Sequence, residues 1–567
     1  MNNKFDVFLP PERINRDKSL WSNRILTEYV AEHAVNRPNH VAVAEVHPVP
    51  NAVPEIIRKP SVLTYSQLWR EVRFLAARLR AIGIQHGDVV SVQLPNWAYF
   101  VVINLALTRI GAVINPIAPI YRQKEMGFYL RRLQSKAIIV PTFFMGFNYV
   151  KMIEDIRSGL PDLKFIWTLG DPTLRTSLDP PYGTMDDHEP SEADLGPAPT
   201  PDDVNAILFT AGTTGEPKGV LHTHNTVDFV EKALAETLRL TSDDVFWFPS
   251  TLGHGTGHYH GYTGAMRLGG TLVLPDKWDP LTINDTLNKW HCTYTCSATP
   301  FLTDTIEHGD GESLRTLRIF LCGGAFIPVE VMRRARERMP NCFVLRAWGQ
   351  TENSTITVSQ PDDPIDKVIT TDGRLNINKE VQVREPNTGE PLPVGSEGEL
   401  WTRGPSLFVG YHKRPDLTRE AMDNDGWFRT GDRGRLDGEG YLTMSSRIKD
   451  LIIRGGENFP VKEMEDLLSV HPAVAEVAIV AMPDLRLQER ACAYVSIRPG
   501  FQFDFNEMLR FLDKQLIAKR KYPEHLGILP ELPKTTTGKI KKYELRAMIA
   551  EKVGLPPVDA GVMAEDL

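Results

Sequence analysis

Two segments more than three hundred residues apart carry side chains suited to handling phosphate: Thr210-Ala-Gly-Thr-Thr-Gly-Glu-Pro-Lys-Gly219 and Pro533-Lys-Thr-Thr-Thr-Gly-Lys539. In the first, glycines permit tight turns and close approach of the backbone to a ligand. Backbone N–H groups, the hydroxyls of Thr210, Thr213 and Thr214, and the Lys218 ammonium can then surround phosphate oxygens. Neither segment is a Walker A loop, which requires G-x-x-x-x-G-K-[ST]. Lys218 precedes the last glycine of its segment, and Pro533 stands where the first glycine of the other would be. By itself the first segment also has the composition of a surface turn, and Lys539 that of a solvated lysine after a glycine turn.

A third stretch, Ser250-Thr-Leu-Gly-His-Gly-Thr-Gly-His-Tyr-His260, brings three histidines together. Their spacing is loose and no cysteine or acidic set accompanies them, which argues for packing or pocket-lining roles over zinc. The five cysteines form no paired C-x-x-C spacing and leave an odd count, so buried reduced thiols are expected.

These groups need a scaffold, and the hydrophobic pattern supplies one. The apolar run Ala206-Ile-Leu-Phe209 predicts a buried strand feeding the first loop. From about residue 25 to 170, helical stretches alternate with short apolar runs such as Val89–Leu94 and Ala137–Val140, as in a layered α/β body. A Pro-, Asp- and Gly-rich connection spans residues 171–203. A composition change near residue 447 divides the chain into a large layered α/β N-terminal domain, 1–446, and a small α+β domain, 447–567, with a loosely ordered tail from Gly554.

With 567 residues the chain can bury a large core, and 42% hydrophobic with 24% charged residues is ordinary globular composition. A net charge of -8 argues against a nucleic-acid partner. The basic stretches Ala518-Lys-Arg-Lys521 and Lys541-Lys542 read as solvated faces or as contacts for coenzyme A phosphates. The most apolar stretch, Tyr99 to Ile120, is broken by Arg109, and no leader pattern opens the chain, so no integral membrane segment and a cytoplasmic location are expected. A homodimer stays open.

Over nearly its whole length the chain resembles the adenylate-forming superfamily of acyl-CoA synthetases, peptide-synthetase adenylation domains and luciferases. The resemblance rests on the two phosphate segments and on landmarks kept in order: Leu63-Thr-Tyr65, Arg109–Pro116, Cys322-Gly-Gly-Ala325, Trp348-Gly-Gln-Thr-Glu352, Phe428-Arg-Thr-Gly-Asp432 and Ser446-Arg-Ile-Lys-Asp450. It implies a large N-terminal domain under a small mobile lid, with ATP, Mg²⁺ and coenzyme A as cofactors. It further implies that Thr210, Gly212, Thr213, Thr214, Gly215 and Lys218 cover the β- and γ-phosphates, that Thr351 meets the α-phosphate and that Glu352 holds the metal. Gly323, Gly324 and Ala325 would line the adenine and acyl pockets, Trp348 would pack against adenine, and Gly349 and Gln350 would belong to the same ATP/AMP site. Asp432 would meet the ribose, Arg447 the ribose or phosphate, and His254 would flank the carboxylate and the thiol entrance. Lys539 would neutralise charge between that carboxylate and the α-phosphate, Lys449 would be the hinge, and Gly455, Gly456 and Glu457 would line the thiol tunnel. Residue by residue, other fates stay open: Trp348 as a core aromatic, Thr351-Glu352 as a helix start, Asp432 in a turn.

The function so implied is ATP-dependent activation of a carboxylic acid as acyl-AMP, followed by acyl transfer to coenzyme A. Three alternatives remain: a carrier-protein-loading enzyme, a non-catalytic nucleotide-binding regulator, and a thioester-forming ligase with weak or absent adenylation. The last is raised by two departures, Ala211 where the family commonly has serine and Trp348 where it commonly has tyrosine. The aromatic and glycine content of residues 246–263 suits a bulky apolar acid, with a loose likeness to ligases for alicyclic acids; fatty and aryl acids remain open.

Overall fold

The computed structural model describes residues 5–46, 62–170, 189–210, 217–324, 327–447, 452–454, 457–459, 461–484, 487–515, 519–535 and 538–555. Among them, nine strands form the largest sheet and six form a second. In the first sheet, Val41–Val46, Thr271–Pro275, Val245–Trp247, Tyr294–Ser297, Ile319–Gly323 and Phe343–Gln350 run parallel, with antiparallel strands at both edges. In the second, Val204–Thr210, Val113–Pro116, Val89–Val92, Ala137–Pro141 and Phe165–Leu169 are parallel. Open parallel sheets bind ligands beyond the carboxyl ends of their strands.

Asn96, just past Val89–Val92, brings the ends of the two sheets together. Its Nδ2 donates to the carbonyls of Phe248 and Ser250 at 3.3 and 3.1 Å, and its Oδ1 accepts from Leu252 N–H at 2.9 Å. The loop following Val245–Trp247 is thereby tied to the other sheet.

The helices follow local signals. Thr64 and Gln67 close a capping box on Tyr65–Ala81, whose Leu68, Val72, Leu75 and Leu79 form its buried stripe. Ala98–Arg109 is buried at every position, so the apolar stretch that opens the landmark region is a core helix of 12 residues. Among the described residues no helix is long and apolar enough to cross a membrane. All five cysteines are free and buried. The short helix Pro11–Asp17 inserts a fully buried Arg13, whose guanidinium donates to the carbonyls of Leu407 and, at 2.7 Å, Phe408.

Toward the C-terminus a separate five-stranded sheet comprises Ile452–Arg454, Glu457–Phe459, Val474–Asp484, Gln488–Ile497 and His525–Ile528. The helices of the same unit include Val461–Ser469 and Phe505–Lys514. The apolar run Val477–Ala481 is the middle of an 11-residue strand. This unit has its own core around Met464, Leu468, Ile479, Val495, Met508 and Leu512, distinct from the main core. It meets the large domain through Lys462, which donates to Met444 O at 2.7 Å and lies 3.7 Å from Asp372.

Candidate active site

The phosphate segment connects two strands that pair as a hairpin. Val204–Thr210 and Lys218–Thr223 pair antiparallel with Thr210 opposite Lys218, so both reach the mouth of the loop. Gly212, Thr213, Thr214 and Gly215 lie outside the described residues. The second hairpin strand is paired in turn by residues 409–412: Leu221 N–H donates to Gly410 O, Val409 N–H to Leu221 O and His412 N–H to Gly219 O, at 2.9, 2.9 and 2.8 Å. This pairing sets the Tyr411 ring beneath Lys218, whose Nζ is 4.8 Å from the ring centroid.

Phe343–Gln350 carries Trp348, Gly349 and Gln350 at its carboxyl end, and Thr351 and Glu352 make the turn into Ser354–Val358. The alternative of a helix start at Thr351-Glu352 is thus set aside by a strand-to-strand turn. Gly349 is dictated by that turn, because a Cβ there would collide with the Ser354 carbonyl oxygen. The Thr351 carbonyl accepts from His222 Nε2 at 2.8 Å, and burial holds that imidazole neutral, with its pKa down to about 4. Glu352 is buried; its Oε1 accepts from the Tyr411 hydroxyl at 2.9 Å and its carbonyl from Phe408 N–H at 2.7 Å.

Asp432 lies within the strand Phe428–Leu436 and not in a turn. Its Oδ2 accepts from Trp348 Nε1 at 3.0 Å and from Gln350 Nε2 at 2.6 Å. Gln350 Nε2 also donates to Thr430 O at 2.9 Å. Trp348 is buried among Ile356, Val383, Leu400 and Leu442, so its ring belongs to the core while its N–H fixes the carboxylate. Arg447 ends the strand Leu442–Arg447, its main chain in register with Asp432.

Gly323 ends Ile319–Gly323 in register with Ala347, and a Cβ on it would sit 2.9 Å from Ala347 O. Gly324 follows with open space at its Cβ position, and Ala325 lies outside the described residues. Lys449, Gly455 and Gly456 also lie outside them, while the main chain of Glu457 pairs with Arg454.

The three histidines of the 250–260 stretch separate. His254 is half-buried; burial, His260 and the Lys539 ammonium together push its pKa down to about 4. His258 packs against Phe100, Tyr259 and Tyr262, and burial drives its pKa to about 3. His260 Nδ1 donates to Glu231 Oε1 at 3.0 Å, with Nε2 at 3.1 Å from Thr355 Oγ1. Among the described residues no group of three His, Cys, Asp or Glu converges on a metal position. His258 and His260 lie on a π-helix, Thr256–Thr263, a wide turn that recurs at functional sites.

Lys539 follows a turn that meets the large domain at Pro300. Its turn is tight: Thr535 N–H donates to Lys539 O at 2.7 Å and Gly538 N–H to Thr535 O at 3.0 Å. Gly538 has φ +78°, and a Cβ there would stand 2.9 Å from Pro300 Cγ, so the turn lies flat on the large domain. Beside it is a cavity of 560 Å³ walled by Ile120, Trp278 and Phe301 on one side and Leu532, Lys534 and Thr535 on the other.

The structure therefore brings Thr210, Lys218, Glu352, Trp348, Gln350 and Asp432 into two linked clusters and sets the turn that precedes Lys539 against Pro300 of the large domain. Tyr411, His222 and Asn96 join them without any local signal in the sequence, since their partners in the site lie 59, 129 and 152 or more positions away.

The AMP-binding enzyme family matches residues 30–412, and its C-terminal domain matches residues 463–539. Medium-chain fatty-acid–CoA ligase of Escherichia coli strain K12 is 37% identical over 95% of this chain and 93% of its own. The 3-[(3aS,4S,7aS)-7a-methyl-1,5-dioxo-octahydro-1H-inden-4-yl]propanoyl:CoA ligase of Rhodococcus jostii strain RHA1 is 32% identical over 85% and 93%. The ATP-bound crystal structure of MatB from Rhodopseudomonas palustris superposes with a TM-score of 0.80 at 26% identity, covering 94% of this chain and 99% of that one. The order of landmarks, the two-domain architecture and these matches agree: the chain belongs to the AMP-binding enzyme family, as an adenylate-forming acid–CoA ligase.

Proposed function

We propose that this ligase activates medium-chain or alicyclic apolar carboxylic acids. The observation that carries the reading is the pair of relatives above, one a medium-chain fatty-acid ligase and one acting on a propanoyl chain attached to a fused ring system. Phe246, Phe248, Tyr262 and Tyr294 beside the π-helix are packed into the main core, so further support for such acids is the aromatic and glycine content of residues 246–263.

In the first half-reaction the carboxylate attacks the α-phosphate of ATP and pyrophosphate leaves. Both reactants are anionic, so the site works by offsetting charge with preplaced donors. Lys218 and the loop from Thr210 through Gly212, Thr213, Thr214 and Gly215 take the β- and γ-phosphates. Asp432, held by Trp348 and Gln350, takes the ribose hydroxyls together with Arg447; Gly323, Gly324 and Ala325 leave room for the flat adenine and the acyl group, and Gly349 shapes the turn beside them. Thr351 meets the α-phosphate, His254 flanks the carboxylate, and Lys539 neutralises oxygens between carboxylate and phosphate.

The donor set fits Mg²⁺, which binds through one or two carboxylates together with substrate phosphates. Glu352 is a buried carboxylate beside a phosphate-binding hairpin and would hold the ion, whose chemistry is neutralisation of phosphate charge. In the second half-reaction the thiol of coenzyme A attacks the acyl carbonyl and AMP leaves. Lys539 then stands in the thiol path, so the small domain turns about Lys449 and presents Gly455, Gly456 and Glu457.

Release of AMP measured across a panel of acids tests the substrate class. Octanoate and cyclohexanecarboxylate should exceed acetate and 4-coumarate in kcat/KM. A preference for acetate or 4-coumarate would overturn it.

A further inference from the structure

We propose that Tyr411 is a positioning residue for metal-dependent adenylation: its hydroxyl locks the rotation of the Glu352 carboxylate, and its ring ties that carboxylate to the Lys218 side of the phosphate hairpin. The proposal rests on the reading that Glu352 holds a divalent cation.

The hydroxyl of Tyr411 reaches Glu352 Oε1 at 2.9 Å, and the residue is only 3% exposed. Little slack exists on the tyrosine side. Its N–H donates to Thr418 Oγ1 at 2.9 Å, its ring stacks obliquely on Phe408 at 4.7 Å, and its main chain bridges to Val220 on the hairpin strand. Glu352 is fixed at its other end by the Phe408 N–H on its carbonyl. A carboxylate held at both backbone and one oxygen presents its remaining surface in one orientation, which is how outer contacts set the geometry of metal-binding carboxylates.

Lys218 completes the link. Its ammonium lies 4.8 Å from the centroid of the same ring whose hydroxyl binds Glu352. Cations are attracted to the faces of tyrosine rings. One side chain thus spans the cation expected on the phosphates and the anion expected on the metal, and it grows from the strand that pairs with the hairpin. Movement of the hairpin stem is transmitted to the carboxylate through a single rigid ring.

The experiment measures Mn²⁺ binding by electron paramagnetic resonance with a non-hydrolysable ATP analogue present. It is paired with the Mg²⁺ dependence of pyrophosphate exchange. Tyr411→Phe keeps the ring and removes the hydroxyl; it should weaken Mn²⁺ binding about 10-fold, the lower end for loss of such an outer contact. The Mg²⁺ requirement should rise in step, with KM for the acid unchanged and the melting temperature close to wild type. Tyr411→Leu removes the ring as well and should additionally raise KM for ATP. Glu352→Gln separates the two layers of the argument. If it leaves Mn²⁺ affinity intact, the Glu352 reading fails and the role of Tyr411 with it. If Glu352→Gln weakens Mn²⁺ binding but Tyr411→Phe does not, the positioning role alone is overturned.

Discussion

Trp348→Phe isolates one hydrogen bond in the proposed nucleotide site. Asp432 Oδ2 receives Trp348 Nε1 at 3.0 Å and Gln350 Nε2 at 2.6 Å. Phenylalanine keeps an aromatic ring among Ile356, Val383 and Leu400 but removes the N–H. A hydrogen bond to a charged acceptor is worth about 1.5–3 kcal/mol. The shorter Gln350 bond still holds the carboxylate, so the low end applies. About 1.5 kcal/mol corresponds to roughly a 10-fold rise in KM for ATP. The assay is pyrophosphate exchange at varied ATP, beside thioester formation from saturating synthetic acyl-AMP, which should keep its rate. Gln350→Leu alone should cost a similar factor. The double variant should cost more than the product of the two, because each donor covers for the other on one oxygen. An unchanged KM for ATP in Trp348→Phe, or strict additivity in the double variant, would refute the shared-oxygen reasoning. The same bond bears on the departure from tyrosine at this position, since the indole N–H reaches Asp432 directly.

Lys539→Ala should lower acyl-AMP formation by roughly 10²-fold, as for removal of an electrostatic donor, while sparing thioester formation from supplied acyl-AMP; equal losses in both half-reactions would count against its role as a lid residue. Burial at the domain contact lifts the Asp466 carboxyl from 3.8 to about 6 even though Lys462 and Arg346 oppose it, with Glu465 and Asp372 adding to the rise. The folded protein therefore keeps a proton there that the unfolded chain releases, and this group's contribution to stability declines as pH climbs from about 4 to 6. Asp466→Asn should remove that decline, so its melting temperature should gain on wild type at pH 8 but not at pH 4; parallel profiles would contradict the assignment.

The sequence made the stem of the phosphate hairpin legible because Ala206–Phe209 is an uninterrupted apolar run that only a buried strand explains. The second domain was legible for a similar reason: its helices and its long strand have periodicities of their own. Asp432 and Glu352 were singled out by their place in an ordered set of landmarks, whereas local chemistry alone left open a turn and a helix start where the structure has a strand and a strand-to-strand turn. Both environments are made by neighbours distant in sequence, and local propensity gives way to tertiary pairing in such places. Tyr411 illustrates the limit. Nothing around Gly410-Tyr411-His412 announces a partner 59 residues earlier, because that contact exists only once residues 409–412 have added themselves to the hairpin.

Arg13 carries a consequence for how the molecule is made. Its guanidinium is sealed away from water and answered by carbonyls at Leu407 and Phe408, 395 positions further on in the case of Phe408. At ordinary rates of translation that separation is roughly 20–80 s. Throughout that interval the first helix has no destination, and its arginine remains in solvent. The loop that it finally anchors is the one that presents Phe408 and Tyr411 to Glu352. Docking of the earliest helix and the Tyr411–Glu352 contact therefore both wait for residues 407–411, and a nascent large domain shorter than about 410 residues lacks the partners for both.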